Sequence, residues 1–213
     1  AVSNVVLKDG LHVQGAAVQY SKKFHDPQSS SSFARSIGHG DLERIAKEYH
    51  NTPLYDLQVL SEINSMSHPV GAHCYMGQRS VTMGSTSATG DFRHELGHAV
   101  HGLLLGTEFD KWIEKHYAEV MKRVKAQPTD TKMSYDFYED NYGVIGSRGL
   151  DNSKEDFAEH YRGFHRELYR DIKEGGGGER VKKYRKRHPM MSRIFDARYT
   201  IAMMAAMSEK GEL

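Results

Sequence analysis

The stretch that most constrains this chain is His94-Glu95-Leu96-Gly97-His98, an H-E-x-x-H pattern. On an α-helix, residues four positions apart lie one turn apart on the same face, so both imidazoles can bind one metal ion. Neutral imidazole suits zinc, and Glu95, which follows the first ligand, can take a proton from a zinc-bound water. The pattern therefore predicts a hydrolytic zinc site with Glu95 as the general base.

The residues around this motif are those of a helix that ends soon after it. Asp91 can cap the helix start, and Gly106 provides a stop. The apolar residues between them recur at helical spacing and predict one buried face, formed by Leu96, Val100, Leu103 and Leu104.

Composition places few limits on the partners of this chain. Its 29 Lys and Arg residues almost balance 28 Asp and Glu residues, so the net charge requires neither nucleic acid nor an acidic membrane as a partner. No apolar run approaches the length needed to span a bilayer. We interpret the basic run 182–187 as a solvated helix face. We therefore expect a protein or peptide substrate, no nucleic acid and no membrane span.

The length of 213 residues predicts a single domain, with an N-terminal lobe at 1–69 and a catalytic core at 70–213. The first residues lack both an initiator Met and the features of a signal peptide. The chain is therefore expected to be a piece of a longer polypeptide or assembly, and the sequence does not identify its compartment.

A hydrolytic zinc site needs a third protein ligand, for which three residues compete. His101 lies about 10 Å along the helix axis from His94, too far to share an ion, and is expected to have a supporting or surface role. Asp110 lies in the first turn of the next helix. Glu155 is the favoured ligand, since it lies in the first turn of a helix that Ser153 can cap. Glu159, one turn later, can accept the second N–H of a ligand histidine such as His94.

Two short glycine-bounded runs before the motif predict antiparallel strands. His73 and Cys74, in the first run, are interpreted as packed residues rather than ligands, because neighbours on a strand point to opposite faces. The second run is expected to be an edge strand that pairs with an extended substrate. Its predicted substrate-binding residues are Ser80, Val81, Thr82, Met83 and Gly84.

Two motifs together resemble a known family. The stretch 94–100, HELGHAV, followed by the stretch 155–161, EDFAEHY, is similar to the gluzincin zinc peptidases, a family that includes the catalytic domain of anthrax lethal factor and the clostridial Pro-Pro endopeptidases. A basic helix that meets Pro189 also looks like the end of that domain. The resemblance covers roughly residues 70 to 207.

The resemblance implies a zinc endopeptidase in which His94, His98 and Glu155 bind zinc, Glu95 is the base and Glu159 supports the ligands. Its members place an oxyanion-stabilising tyrosine seven residues before the ligand glutamate, where this chain has Arg148. Either Arg148 or Tyr142 is expected to stabilise the oxyanion here.

These observations predict an α+β, zincin-like fold, in which a small mixed sheet packs over the H-E-x-x-H helix and the C-terminal part is mostly helical. The predicted function is a Zn²⁺-dependent endopeptidase. The alternative function is a weakly active or inactive zincin-like module that serves in a toxin or phage assembly.

Overall fold

The computed structural model describes residues 56, 59–60, 62–66, 72–74, 80–84, 91–126, 139, 143–146, 148–174 and 177–209. Residues 1–55, which form most of the predicted N-terminal lobe, lie outside this set. The chain divides into two compact units, Ala1–Leu103 and Leu104–Leu213, whereas the sequence analysis placed its boundary between 69 and 70. The two units are described in turn.

A three-stranded sheet forms part of the first unit. Its strands are β1 (Glu62–Met66), β2 (His73–Cys74) and β3 (Ser80–Gly84). The strand order is β1-β3-β2. β1 runs parallel to β3, and β2 runs antiparallel to it. Val81 and Met83 are both buried, as expected for alternate residues on one face of a strand.

Helix α1 (Asp91–Leu104) carries the H-E-x-x-H motif. Asp91 lies in its first turn, and Gly106 follows its last residue with a φ of 75°. The stop at Gly106 agrees with the sequence prediction, because a left-handed residue after the last turn is a common helix stop. Asp91, predicted as the cap, lies instead within the first turn. Most of the helix is buried, on its polar as well as its apolar faces. The exception is Leu103, which was predicted to lie on the buried face but is 53% exposed.

The second unit is helical. Thr107 caps α2 (Glu108–Lys125), since its side chain accepts a hydrogen bond from the backbone N–H of Asp110. A short 3₁₀ helix (Arg148–Leu150) leads into α3 (Ser153–Glu174). Two further helices follow, α4 (Glu179–Arg187) and α5 (Pro189–Glu209).

Aromatic side chains of α3 and α5 form the core of this unit. The ring of Phe195 on α5 lies with its centroid 5.6 Å from that of Phe157 and 5.0 Å from that of Phe164. Tyr161 is also fully buried. Farther along α3, Ile172 is 72% exposed, so the aromatic core covers only the first part of this helix.

The prediction of an α+β fold with a mixed sheet over the metal helix is wrong, because the interpretable part of the chain is predominantly helical. The longer helices α2, α3 and α5 contain 18, 22 and 21 residues. By contrast, β1 and β3 contain five residues each and β2 only two. So small a sheet does not define the fold class, which is defined instead by the packing of the helices.

None of the helices in the described part of the chain is long and apolar enough to cross a membrane. The expected absence of a membrane span is confirmed to that extent. The basic run 182–187 lies within α4, where it is exposed apart from Tyr184.

Candidate metal centre

His94 and His98 are held together on α1. Their Nε2 atoms lie 3.2 Å apart, and the two rings meet edge to face with centroids 4.8 Å apart. Two ligand atoms about 2.1 Å from one tetrahedral zinc ion lie about 3.4 Å from each other. The observed spacing therefore suits two ligands of one ion.

Glu95 follows His94 on the same helix and is only 3% exposed. Its negative charge affects Cys74 on β2, because burial and, second, the Glu95 carboxylate raise the pKa of the Cys74 thiol to about 12. At neutral pH the thiol keeps its proton. The interpretation of Cys74 as a packed residue rather than a ligand stays a prediction.

Glu155, the predicted third ligand, lies in the first turn of α3 and is half-buried. The sequence analysis expected Ser153 to cap this helix, but the cap is Asn152. The Asn152 side-chain oxygen accepts hydrogen bonds from the backbone N–H groups of Lys154 and Glu155, both at 3.0 Å. Ser153 instead donates from its hydroxyl to Glu114 on α2 at 2.5 Å. These bonds fix the turn that carries Glu155.

Two groups of His, Asp and Glu side chains in the described ranges could hold a metal ion. The first contains His94, His98 and Glu155, and the binding of a metal by these three residues stays a prediction; the second contains His116, Asp156 and His160. The second group was not predicted from the sequence, although the spacing of four residues between Asp156 and His160 indicates a shared helix face.

Glu159, predicted to support a ligand histidine, is buried one turn after Glu155. The Arg162 guanidinium lies 2.6 Å from its carboxylate. Gly146 packs against the same carboxylate, since a Cβ built on this glycine would lie 3.3 Å from it. Glu159 is therefore held in a fixed position, and its support of His94 stays a prediction.

Asp110 and His101, the two other candidates for the third metal ligand, have surroundings that differ from those of Glu155. Asp110 accepts a hydrogen bond from the backbone N–H of Gly106 at 2.8 Å, which stabilises the turn between α1 and α2. His101 is fully buried, so the expectation of a surface role for it is wrong. Neither belongs to the two groups that could hold a metal in the described part of the chain.

The remaining predicted site residues are the two candidate oxyanion donors and the substrate-binding strand. Arg148 begins the 3₁₀ helix and is exposed, whereas Tyr142 lies outside the described residues. The stretch Ser80–Gly84 is a strand, but it is not the edge strand that we expected. β3 pairs with β1 along its whole length and with β2 at Val81 and Thr82. An extended substrate cannot add alongside those two residues, because both sides of the strand are already paired there.

The second group is deeply buried. Asp156 and His160 lie one turn apart on α3 with fully buried side chains, and the side chain of His116 on α2 is 14% exposed. His160 Nε2 lies 3.6 Å from Asp156 Oδ1, and His116 Nε2 lies 3.8 Å from Asp156 Oδ2. His188, between α4 and α5, adds a third imidazole, with its ring centroid 4.8 Å from that of His160.

Burial dominates the ionisation of these groups. It lowers the pKa of His160 well below its usual value, and the neighbouring His188 and His116 lower it further. Burial and the charge of Arg187 lower the pKa of His188 to about 4. Burial also lowers the pKa of His116 and raises that of Asp156 well above its usual value. At neutral pH the three imidazoles are neutral, which is the form that binds metals.

No family model, curated protein or solved structure matches the chain. The similarity to gluzincins therefore stays a prediction that depends on the motifs at 94–100 and 155–161.

Proposed function

We propose that this protein is a zinc-dependent endopeptidase in which His94, His98 and Glu155 bind the metal. The observation that carries the proposal is the 3.2 Å separation of the two Nε2 atoms on a buried helix, with Glu95 next to the first of them. An H-E-x-x-H helix with this arrangement is the typical zinc-binding element of metallopeptidases.

The donor set fits zinc. Two imidazoles and one carboxylate are a common set of protein ligands in hydrolytic zinc sites, and they leave a fourth position open. Zinc bound there would polarise the scissile carbonyl and make water a stronger nucleophile. The cap at Asn152 holds the turn of Glu155 in place, and this reduces the conformational entropy that the carboxylate would lose on binding.

Glu95 acts as the general base. It accepts a proton from the attacking water while the new C–O bond forms, and it returns that proton to the amide nitrogen as the peptide C–N bond breaks. Its carboxylate is buried on the helix that carries both histidines.

Arg148 is the oxyanion donor of this proposal. Its exposed side chain at the start of the 3₁₀ helix is accessible to a substrate. A guanidinium carries its charge at every physiological pH, so it can stabilise the negative charge that develops on the carbonyl oxygen.

The test is cleavage of a peptide library by the full chain supplied with zinc. We expect cleavage that a chelator abolishes, and a loss of about 100-fold or more in Glu95→Gln, since a general base contributes about 10²–10⁴-fold. Glu95→Gln should still contain zinc, because Glu95 is not a ligand. The matched control is Glu119→Gln, an exposed glutamate on α2, which should cleave at the wild-type rate.

Two results would contradict the proposal. One is a zinc-loaded wild-type protein that cleaves no member of the library. The other is a Glu95→Gln protein that cleaves as fast as the wild type.

A further inference from the structure

The second group of buried side chains, His116, Asp156 and His160, brings potential ligand atoms together from two helices. These atoms all lie within 4.8 Å of one another. Within the described ranges, His116 Nε2, His160 Nε2 and both carboxylate oxygens of Asp156 are buried without a hydrogen-bond partner. A buried polar atom without a partner is costly, and several at one place require a physical explanation.

His160 contacts Tyr184 on α4 through two atoms. The Tyr184 hydroxyl donates to the backbone carbonyl of His160 at 3.0 Å, and it lies 2.8 Å from His160 Nδ1. A hydroxyl that donates its one proton to the carbonyl can accept from an Nδ1–H group. Because neutral imidazole carries one N–H, His160 Nε2 presents a lone pair toward Asp156 in that tautomer.

In that tautomer, acceptor atoms of His160 and Asp156 face each other. The gaps of 3.6 Å and 3.8 Å between the Asp156 oxygens and the two imidazole nitrogens are too long for hydrogen bonds. They are close to the separation of about 3.4 Å between two ligands of one tetrahedral zinc ion. A cation between these atoms would satisfy all of them.

We propose that His116, Asp156 and His160 bind a second divalent transition metal ion, of which zinc is the best match. The set of two imidazoles and one carboxylate suits zinc and other late first-row metals. His188 is the nearest further imidazole beside His160, and it is 2% exposed. Burial of the ligands indicates a structural rather than a catalytic ion.

Such an ion would join α2 to the first turns of α3. Asp156 follows Glu155 in the sequence, and successive helix residues point about 100° apart. The metal at Asp156 would thus hold the turn that carries Glu155 without taking Glu155 itself as a ligand. This role does not depend on the proposed peptidase activity.

The test is the zinc content per chain of four purified proteins, measured by mass spectrometry after exposure to excess zinc and removal of loosely bound ions. We expect about two zinc ions in the wild type, one in His94→Ala/His98→Ala and one in His116→Gln. The matched control is Lys115→Gln, an exposed residue next to His116 on α2, which should keep both.

The outcomes separate the two proposals. One zinc ion in the wild type and in His94→Ala/His98→Ala, with none in His116→Gln, would support the second site and contradict the first. One zinc ion in the wild type and none in His94→Ala/His98→Ala would overturn the second site, as would full zinc content in His116→Gln. Either result would mean that the buried cluster holds a proton on Asp156 instead of a metal ion.

The cobalt(II) absorption spectrum of the His94→Ala/His98→Ala protein provides a second readout if His116→Gln fails to fold. The intense visible bands of four-coordinate cobalt would support the second site. A protein without visible absorption at excess cobalt would overturn it.

Discussion

His160 and Tyr184 are joined by two hydrogen bonds, because the tyrosine hydroxyl lies 2.8 Å from the imidazole Nδ1 and donates to the carbonyl oxygen of the same histidine at 3.0 Å. Both side chains are buried. The pair links α3 to α4, and it fixes the imidazole that faces Asp156.

Removal of that hydroxyl should destabilise the protein. In Tyr184→Phe, the Nδ1 atom and the carbonyl of His160 both lose a buried partner, which should lower the free energy of unfolding by about 1–3 kcal/mol. Tyr117→Phe is the comparison, since the hydroxyl of Tyr117 makes one part-buried bond, to the Leu150 carbonyl at 2.9 Å, and its loss should cost less. Urea denaturation measures both, and equal losses would contradict this account.

The cap of α3 gives a second prediction. Asn152→Ala removes the acceptor for two backbone N–H groups, including that of Glu155, and should lower the unfolding free energy by about 1 kcal/mol. Asn152→Asp keeps an acceptor oxygen and should retain most of the stability. Both can be compared by urea titration. If Asn152→Ala is as stable as the wild type, the side chain is not the cap.

Gly146 tests the packing of Glu159. It has a φ of 67°, and a Cβ there would lie 3.3 Å from the Glu159 carboxylate. Two effects should therefore lower the free energy of unfolding of Gly146→Ala. The left-handed backbone costs about 1–2 kcal/mol, and displacement of the Glu159 carboxylate by the added Cβ lowers the stability further. Gly177→Ala isolates the first effect, because its φ is 61° and no atom lies within 4 Å of the added Cβ. Thermal unfolding should place Gly146→Ala below Gly177→Ala, and the reverse order would contradict the packing.

Acid should destabilise the metal-free protein through His188. Its pKa is about 4 in the folded chain and about 6.5 when unfolded. Between these values the unfolded state binds more protons, so the unfolding free energy falls as the pH decreases, by up to about 3 kcal/mol. The raised pKa of Asp156 has the opposite effect on the unfolding free energy, because the folded state binds the Asp156 proton more tightly than the unfolded state does.

A comparison with His188→Gln separates these effects, since Asp156 is present in both proteins. With a chelator present, the stability of the wild type should fall more steeply than that of His188→Gln between pH 7 and pH 4.5. Parallel curves would show that His188 is not held in its neutral form by burial.

Local spacing predicted the parts of the structure that local contacts determine. The positions of His94 and His98 on one helix and the stop at Gly106 follow from side chains within one or two turns. The cap of α3 was assigned to Ser153 instead of Asn152, because neighbouring polar residues are both good caps and the sequence cannot choose between them.

Contacts between distant parts of the chain were beyond prediction from one sequence. β3 lies in the middle of its sheet because β1, which precedes it by many residues, pairs with its second side. The buried group at Asp156 joins α2 and α3. No local pattern links His116 to these residues, although the 13 histidines of the chain were a general signal for metal binding.

The most direct test of the zinc site is a crystal structure of the zinc-loaded protein, with an anomalous difference map collected at the zinc absorption edge. The account predicts a peak about 2.0–2.2 Å from the Nε2 atoms of His94 and His98 and from a carboxylate oxygen of Glu155. A map without a peak at these three residues, from crystals soaked in excess zinc, would contradict the account.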